Sequence, residues 1–159
     1  MRSPDELSIR FRALGLKVTP QRQAIFRVLH GNESHPTAEA VYDAVVVEMP
    51  AISLKTVYQT LNDLARLGEI AALDLGTGAA RFDPNVEGDH HHLVCERCGK
   101  VRDLRADLGP LELKPADRQG FTVGRTDIVF RGVCRECRGT PAAVGGHVPD
   151  HHNHKEHHG

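Results

Sequence analysis

Apolar residues recur every three to four positions through the first half of the chain, the period of an amphipathic helix. In "TPQRQAIFRVLH" the apolar face is Ala24, Ile25, Val28 and Leu29, with Thr19 as N-cap and Pro20 in the first helical position. "TAEAVYDAVVVEM" places Ala38, Val41, Tyr42, Val45 and Met49 at helical spacing. "SLKTVYQTLNDLARLG" starts at the N-cap candidate Ser53, carries Leu54, Val57, Leu61, Leu64 and Leu67, and ends before Gly68. A further helix is predicted around Leu7 to Leu14. Beyond Gly68 the pattern changes. "EIAALDL" and "ARFDP" flank "GTGA" and read as a β-hairpin. "HHHLVC", "KVRDL", "FTVG" and "DIVFRGVC" read as strands, and "ADLGPLELKPADRQG" as an irregular helix.

Three helices followed by a hairpin is the order of a winged helix-turn-helix, with the third helix as recognition helix. On that helix Lys55, Gln59, Asn62 and Arg66 share one side, and Thr56, Tyr58 and Thr60 lie beside them. Such side chains suit phosphates and base edges, though an ordinary amphipathic helix shows the same pattern. The polar stretch "DPNVEGD", Asp83 to Asp89, reads as a linker. The expected fold class is α+β. A winged-helix domain spans 1–83, a second, α/β domain spans 84–138, and 139–159 form a disordered His-rich tail.

Composition changes this picture little. The 159 residues are 40% hydrophobic with 4% aromatics and no Trp, so the core must be mostly Leu, Val, Ile and Ala. A net charge of −1 excludes a generally basic nucleic-acid coat. Residues 1–30 nevertheless hold Arg2, Arg10, Arg12, Lys17, Arg22 and Arg27 against Asp5 and Glu6. That is either a DNA-facing surface, with Arg22 as a contact outside the recognition helix, or a solvated charged face. No segment resembles a signal peptide, and no run nears the ~20 apolar residues of a membrane span. A cytoplasmic protein is expected, whose cysteines bind metal in preference to forming disulfides.

Cys95-x-x-Cys98 and Cys134-x-x-Cys137 have the spacing of a closed four-thiolate zinc site, which supplies folding energy and not catalysis. Free thiols or a redox pair are the alternative. If "CERCG" turns between antiparallel strands, Val94 faces Val101, His92 faces Asp103 and His90 faces Arg105. His90 and His92 then point one way and His91 the other. Two imidazoles and a carboxylate converge apart from the cysteines, so two different metals are expected. The tail histidines, His147, His151, His152, His154, His157 and His158, either scavenge metal weakly or are passive.

These residues resemble the ferric uptake regulator family. The resemblance rests on "VTPQRQAI", "HPTAEAVY", "ISLKTVYQTLNDLARLGEI", "ARFD", "DHHHLVCERCGKVRDL" and "GVCRECR", in one collinear order over roughly residues 7–138. It implies a homodimeric, metal-dependent transcriptional repressor that binds a palindromic double-stranded DNA operator, with the C-terminal domain as the dimerisation domain. It implies structural zinc at Cys95, Cys98, Cys134 and Cys137. It implies a regulatory metal at His35, Asp83, His90, His92 and Asp103, and Tyr58 matches the family's recognition-helix tyrosine; Lys55, Thr56 and Gln59 join it as expected DNA contacts from the helix face. Asp83 and Asp103 resemble the peroxide-stress branch, where the iron-uptake branch usually carries glutamate. Three imidazoles and two carboxylates suit Fe(II) or Mn(II). The second histidine-containing site of many members is not evident in "VGRTDIVFRG". A metal-concentration repressor of iron uptake is the first alternative. A zinc metalloenzyme is less favoured because HExxH and serine-centred motifs are missing, and metal storage is suggested only by the tail.

Overall fold

The structure, a computed structural model, describes residues 1–86, 88, 90–109, 111–124, 126 and 128–139. Of the histidine-rich tail expected over 139–159, all but Gly139 lies outside the described residues. Four helices come first: α1 (Pro4–Ala13), α2 (Pro20–Leu29), α3 (Ala38–Val46) and α4 (Leu54–Arg66). Each starts where a hydroxyl can satisfy a free backbone donor. Ser3, Thr19, Thr37 and Ser53 accept from the N–H groups of Glu6, Arg22, Ala40 and Thr56. Helix α3 stops short of Met49, because Met49 precedes Pro50 and that position disfavours helical backbone. Met49 still packs against the core, from a turn.

The helices enclose one apolar cluster that includes Leu7, Ile25, Leu29, Val41, Val57, Leu61 and Leu64. The core is mostly aliphatic, as the composition requires. Phe11 and Phe26 meet edge to face inside it, with ring centroids 5.0 Å apart. Glu69 is buried just beyond α4 and pairs with Arg2 and Arg10, fastening the start of the chain to the end of α4. Burial raises the Glu69 carboxyl, but hydrogen bonds from Arg2 and the charges of Arg2 and Arg10 outweigh it, so its pKa is lowered.

The hairpin is present as β1 (Ala71–Leu73) and β2 (Arg81–Asp83), antiparallel with Ala72 opposite Phe82. Gly76 and Gly78 between them take the positive φ angles that the turn needs. A second sheet has the order β4-β3-β5, from β3 (His91–Cys95), β4 (Val101–Leu104) and β5 (Val129–Gly132). Strand β3 is antiparallel to β4 and parallel to β5.

Two expectations need correcting. "FTVG", residues 121–124, is irregular and exposed, because among the described residues no strand pairs with it. The predicted irregular helix is reduced to one 3-10 turn, Pro115–Arg118, in a stretch broken by Gly and Pro whose described residues are exposed. A short helix α5 (Arg135–Arg138) follows β5. Leu73 and Leu75 of the hairpin pack against Val94, Val101 and Val129, so the wing is seated on the second sheet. Among the described residues no helix is long and apolar enough to cross a membrane.

Candidate metal centres and nucleic-acid face

Strand register delivers the first set of donors. Val94 faces Val101 and His92 faces Asp103, as the turn at "CERCG" predicts. His90 precedes the strand, on the same side as His92. Asp83 ends β2, and His35 lies between α2 and α3. One side-chain donor atom from each of His35, Asp83, His90, His92 and Asp103 lies within 4.8 Å of every other. Opposite ligands around one ion stand about 4.2 Å apart, twice a ~2.1 Å bond, so the cluster has the dimensions of a metal cage. His35, Asp83 and His92 are buried, and Asp103 is about a quarter exposed.

His90 Nε2 meets Asp83 Oδ2 at 2.8 Å, and the other three donor atoms have no adequate partner. His35 Nε2 and Asp103 Oδ1 are 2.7 Å apart, yet neither makes a hydrogen bond of acceptable geometry, and His92 Nε2 is likewise unpaired. Buried polar atoms are ordinarily satisfied. These are aimed at a shared point and not at each other. The outward ring nitrogens are satisfied instead. His35 Nδ1 lies 3.1 Å from the Glu33 carbonyl and His90 Nδ1 3.4 Å from that of Gly88. Donating Nδ1–H to a carbonyl leaves Nε2 as a lone-pair donor, the usual arrangement of a ligating histidine. The residues present therefore fit a cation.

Electrostatics agree. Burial lowers the His35 pKa, but its contact with the Asp83 carboxylate at 3.5 Å and the charges of Asp83 and Asp103 outweigh that and raise it. His92 goes down, through burial and the nearness of His35 and His90. Asp83 is held far below the carboxylate range: burial opposes this, and contacts with His35, the Asn85 N–H and His90 prevail.

Two features lie beyond what the sequence predicts. Asn85 serves both carboxylates, its backbone N–H donating to Asp83 Oδ1 at 2.7 Å and its side-chain amide to Asp103 Oδ2 at 2.8 Å. "DPN" is a recognisable turn signal of an Asp bonding the backbone two residues on. His35 takes a left-handed backbone, φ +50°. For a non-glycine residue that costs about 1–3 kcal/mol, and nothing in the sequence announces it.

The four cysteines form a separate group. Their sulfurs lie within 4.8 Å of one another, and Cys98 Sγ and Cys134 Sγ are 3.7 Å apart. A tetrahedron of ~2.3 Å zinc–sulfur bonds has edges of about 3.8 Å. Backbone donors from Cys134 and Cys98 bring Cys95 down to about 6, while Cys137, crowded by the Cys134 and Cys98 sulfurs, is pushed up to about 12. Four thiolates this close need a cation between them. Lys100 and Glu136 pair at 2.6 Å and link the two cysteine turns. His91 stands on β3 away from both centres.

On α4, Lys55, Gln59, Asn62 and Arg66 are exposed. Tyr58 is partly exposed and donates its hydroxyl to Glu39 at 2.8 Å. Thr56 is half-buried and engaged with the Ser53 cap. Thr60 does not belong with them: it is buried and donates to the Thr56 carbonyl. Arg22 also turns inward. It pairs with Asp63 at 2.8 Å, donates to the Lys17 carbonyl and lies over the Phe11 ring. Those contacts hold the helices together.

The sequence profile of the ferric uptake regulator family matches residues 13–131, and the chain belongs to that family. It is 37% identical over 128 residues to the peroxide-responsive repressor PerR of Staphylococcus aureus, covering 80% of this chain and 86% of that one. The ferric uptake regulator of Helicobacter pylori shares the fold, with a TM-score of 0.66 at 21% identity over 84% of this chain and 90% of that one. The Campylobacter jejuni peroxide stress regulator superposes with a TM-score of 0.55 at 25% identity, covering 86% and 100%.

Proposed function

We propose that this metal-dependent DNA-binding repressor senses peroxide through its His/Asp centre. The observation that carries the reading is the convergence of five donors from separate parts of the chain on one point, with aspartate in both carboxylate positions. Identity to a peroxide-responsive repressor supports it. We assign Cys95, Cys98, Cys134 and Cys137 to structural zinc, and His35, Asp83, His90, His92 and Asp103 to Fe(II) or Mn(II).

The proposed division of labour follows from where the donors come from. Residues 1–83 form the DNA-binding domain, and 84–138 the dimerisation and metal-binding domain. His35 is held by the first, His90, His92 and Asp103 by the second, and Asp83 sits at their junction. Cation binding favours the arrangement in which all five donors meet, and so shifts the population toward one spacing of the two α4 helices in a dimer. Half-sites about 34–36 Å apart, or a multiple of this, on a palindromic operator then face Lys55, Tyr58 and Gln59. Leu93 and Phe130, paired across β3 and β5 and both exposed, offer an apolar strip for a second copy. The protein acts as a regulator and not an enzyme.

Fe(II) held by these five donors would activate peroxide for oxygen transfer: the O–O bond would break, one oxygen would enter a ring C–H of His35 or His90, which supplies the two electrons, and the other oxygen would leave as water. An oxidised imidazole is a poorer donor, so the halves lose their common anchor. The test is anaerobic Fe(II) loading, a small excess of peroxide, and peptide mass spectrometry. One added oxygen on a peptide containing His35 or His90–His92, absent after Mn(II) loading, is the expected result. Unmodified histidines with metal-dependent DNA binding would instead make this a sensor of metal concentration.

A further inference from the structure

Arg81 stands where three parts of the molecule meet. From β2 its Nη2 donates to the Gly99 carbonyl at 2.9 Å, its Nη1 to the His35 carbonyl at 3.3 Å, and its Nε to Thr77 Oγ1 at 3.4 Å. Gly99 directly follows Cys98 and closes the first cysteine turn, donating its N–H to the Cys95 carbonyl at 2.8 Å. His35 is the His/Asp donor supplied by the helical half of the chain. One guanidinium therefore spans the backbone of both metal centres. The next residue reinforces the link, because Phe82 N–H donates to the Pro36 carbonyl at 2.9 Å.

The fit is close on the cysteine side. A Cβ built on Gly99 would stand 3.0 Å from Arg81 Nη2, at a residue whose φ is +69°. Glycine there satisfies both the turn and the approach of the arginine. On the other side, His35 has the strained backbone described above and needs neighbours that hold it. The Arg81 fork and the Phe82 backbone are two of them.

We infer that Arg81 is a positioning residue that couples the two metal centres, holding the His35 backbone in a register set by the cysteine turn. The inference rests on the reading of the His/Asp cluster as a metal site. A flat, five-donor guanidinium can serve two carbonyls at fixed angles, which a flexible ammonium does not. Loss of the zinc turn would then loosen His35 without touching any of the five donors, so regulatory metal is bound firmly only by a correctly zinc-loaded chain.

Simple electrostatics gives the opposite sign, and this makes the inference testable. Removing a positive charge near a cation site should tighten cation binding. The coupling predicts that Arg81→Met weakens it. Free Mn(II) is measured by electron paramagnetic resonance during titration of the full zinc-loaded chain, with zinc content assayed on each sample. Arg81→Met is expected to weaken Mn(II) binding about tenfold with zinc retained. Arg81→Lys, which keeps the charge and loses the fork, should weaken it nearly as much.

Gly99→Ala should weaken Mn(II) binding on the wild-type background and add nothing on Arg81→Met, because both disturb one link. Should Gly99→Ala lose zinc, the Arg81 variants decide the question alone. Faster amide hydrogen exchange over residues 33–37 of metal-free Arg81→Met would show the loosening directly. Unchanged or tighter Mn(II) binding by Arg81→Met, or full rescue by lysine, would overturn the coupling. Failure of the wild-type chain to bind Mn(II) would instead overturn the metal-site reading beneath it.

Discussion

Asn85→Ala is the most informative single change at the His/Asp centre. Asn85 touches two metal-site carboxylates and is not itself one of the five donors. The substitution removes the amide donor to Asp103 Oδ2 at 2.8 Å and keeps the backbone N–H that serves Asp83. A hydrogen bond to a charged group contributes about 1.5–3 kcal/mol. Asp103 is roughly a quarter exposed, so water replaces part of that bond, and about 1–1.5 kcal/mol is the expected net loss. This corresponds to roughly a tenfold rise in the Mn(II) dissociation constant, at the lower end of the effects of outer-shell partners. Mn(II) titration followed by electron paramagnetic resonance measures it, with zinc content and thermal unfolding as checks on the fold. Asp103→Ala, which removes the donor itself, should lose considerably more. Binding within twofold of wild type in Asn85→Ala would mean that water substitutes fully. Little effect of both changes would remove Asp103 from the site.

Three further outcomes are expected. His35 has a raised pKa and so keeps its proton to higher pH than an ordinary histidine, while His92, lowered by burial and its histidine neighbours, gives its proton up more readily. Mn(II) must displace that proton, so affinity rises with pH through the neutral range by up to about tenfold per unit; calorimetry in buffers of different ionisation enthalpy should show proton release that His35→Ala reduces. Leu61, fully buried among the helices, should cost about 2–5 kcal/mol when cut to alanine, read as a lower denaturant midpoint with the four-cysteine zinc retained. Lys55→Ala should weaken binding to all DNA sequences alike and lower the salt dependence by about 0.9 in log–log slope for each phosphate that Lys55 neutralises, whereas an unchanged slope would place Lys55 off the backbone.

Much of this protein is written in local sequence. The starts of α2 and α4 are visible because Thr19 and Ser53 precede apolar periodicity, and capping is a matter of neighbouring residues, whereas the periodicity around Leu7 to Leu14 does not mark the start of α1 at Pro4. The β3–β4 register follows from a turn of fixed length, which by itself sets His92 opposite Asp103. The spacing of the cysteine pairs predicts that their four sulfurs meet, and they do.

What tertiary structure decided are the meetings between distant segments, where many partners are available and only packing chooses. The charge of Arg22 is local information, whereas its ion-pair partner Asp63 is 41 residues away. Thr60 has a helix-surface spacing, but the neighbouring helices cover it. "FTVG" has the composition of a strand and, among the described residues, no strand to pair with. The placing of His35 and Asp83 beside the strand histidines comes from family resemblance, since their separation in the chain gives no local reason to meet. Periodicity, capping and turn length act within a few residues and can be read from them. Convergence of side chains on one point depends on the whole fold, and so do the strained His35 backbone and the Arg81 bridge.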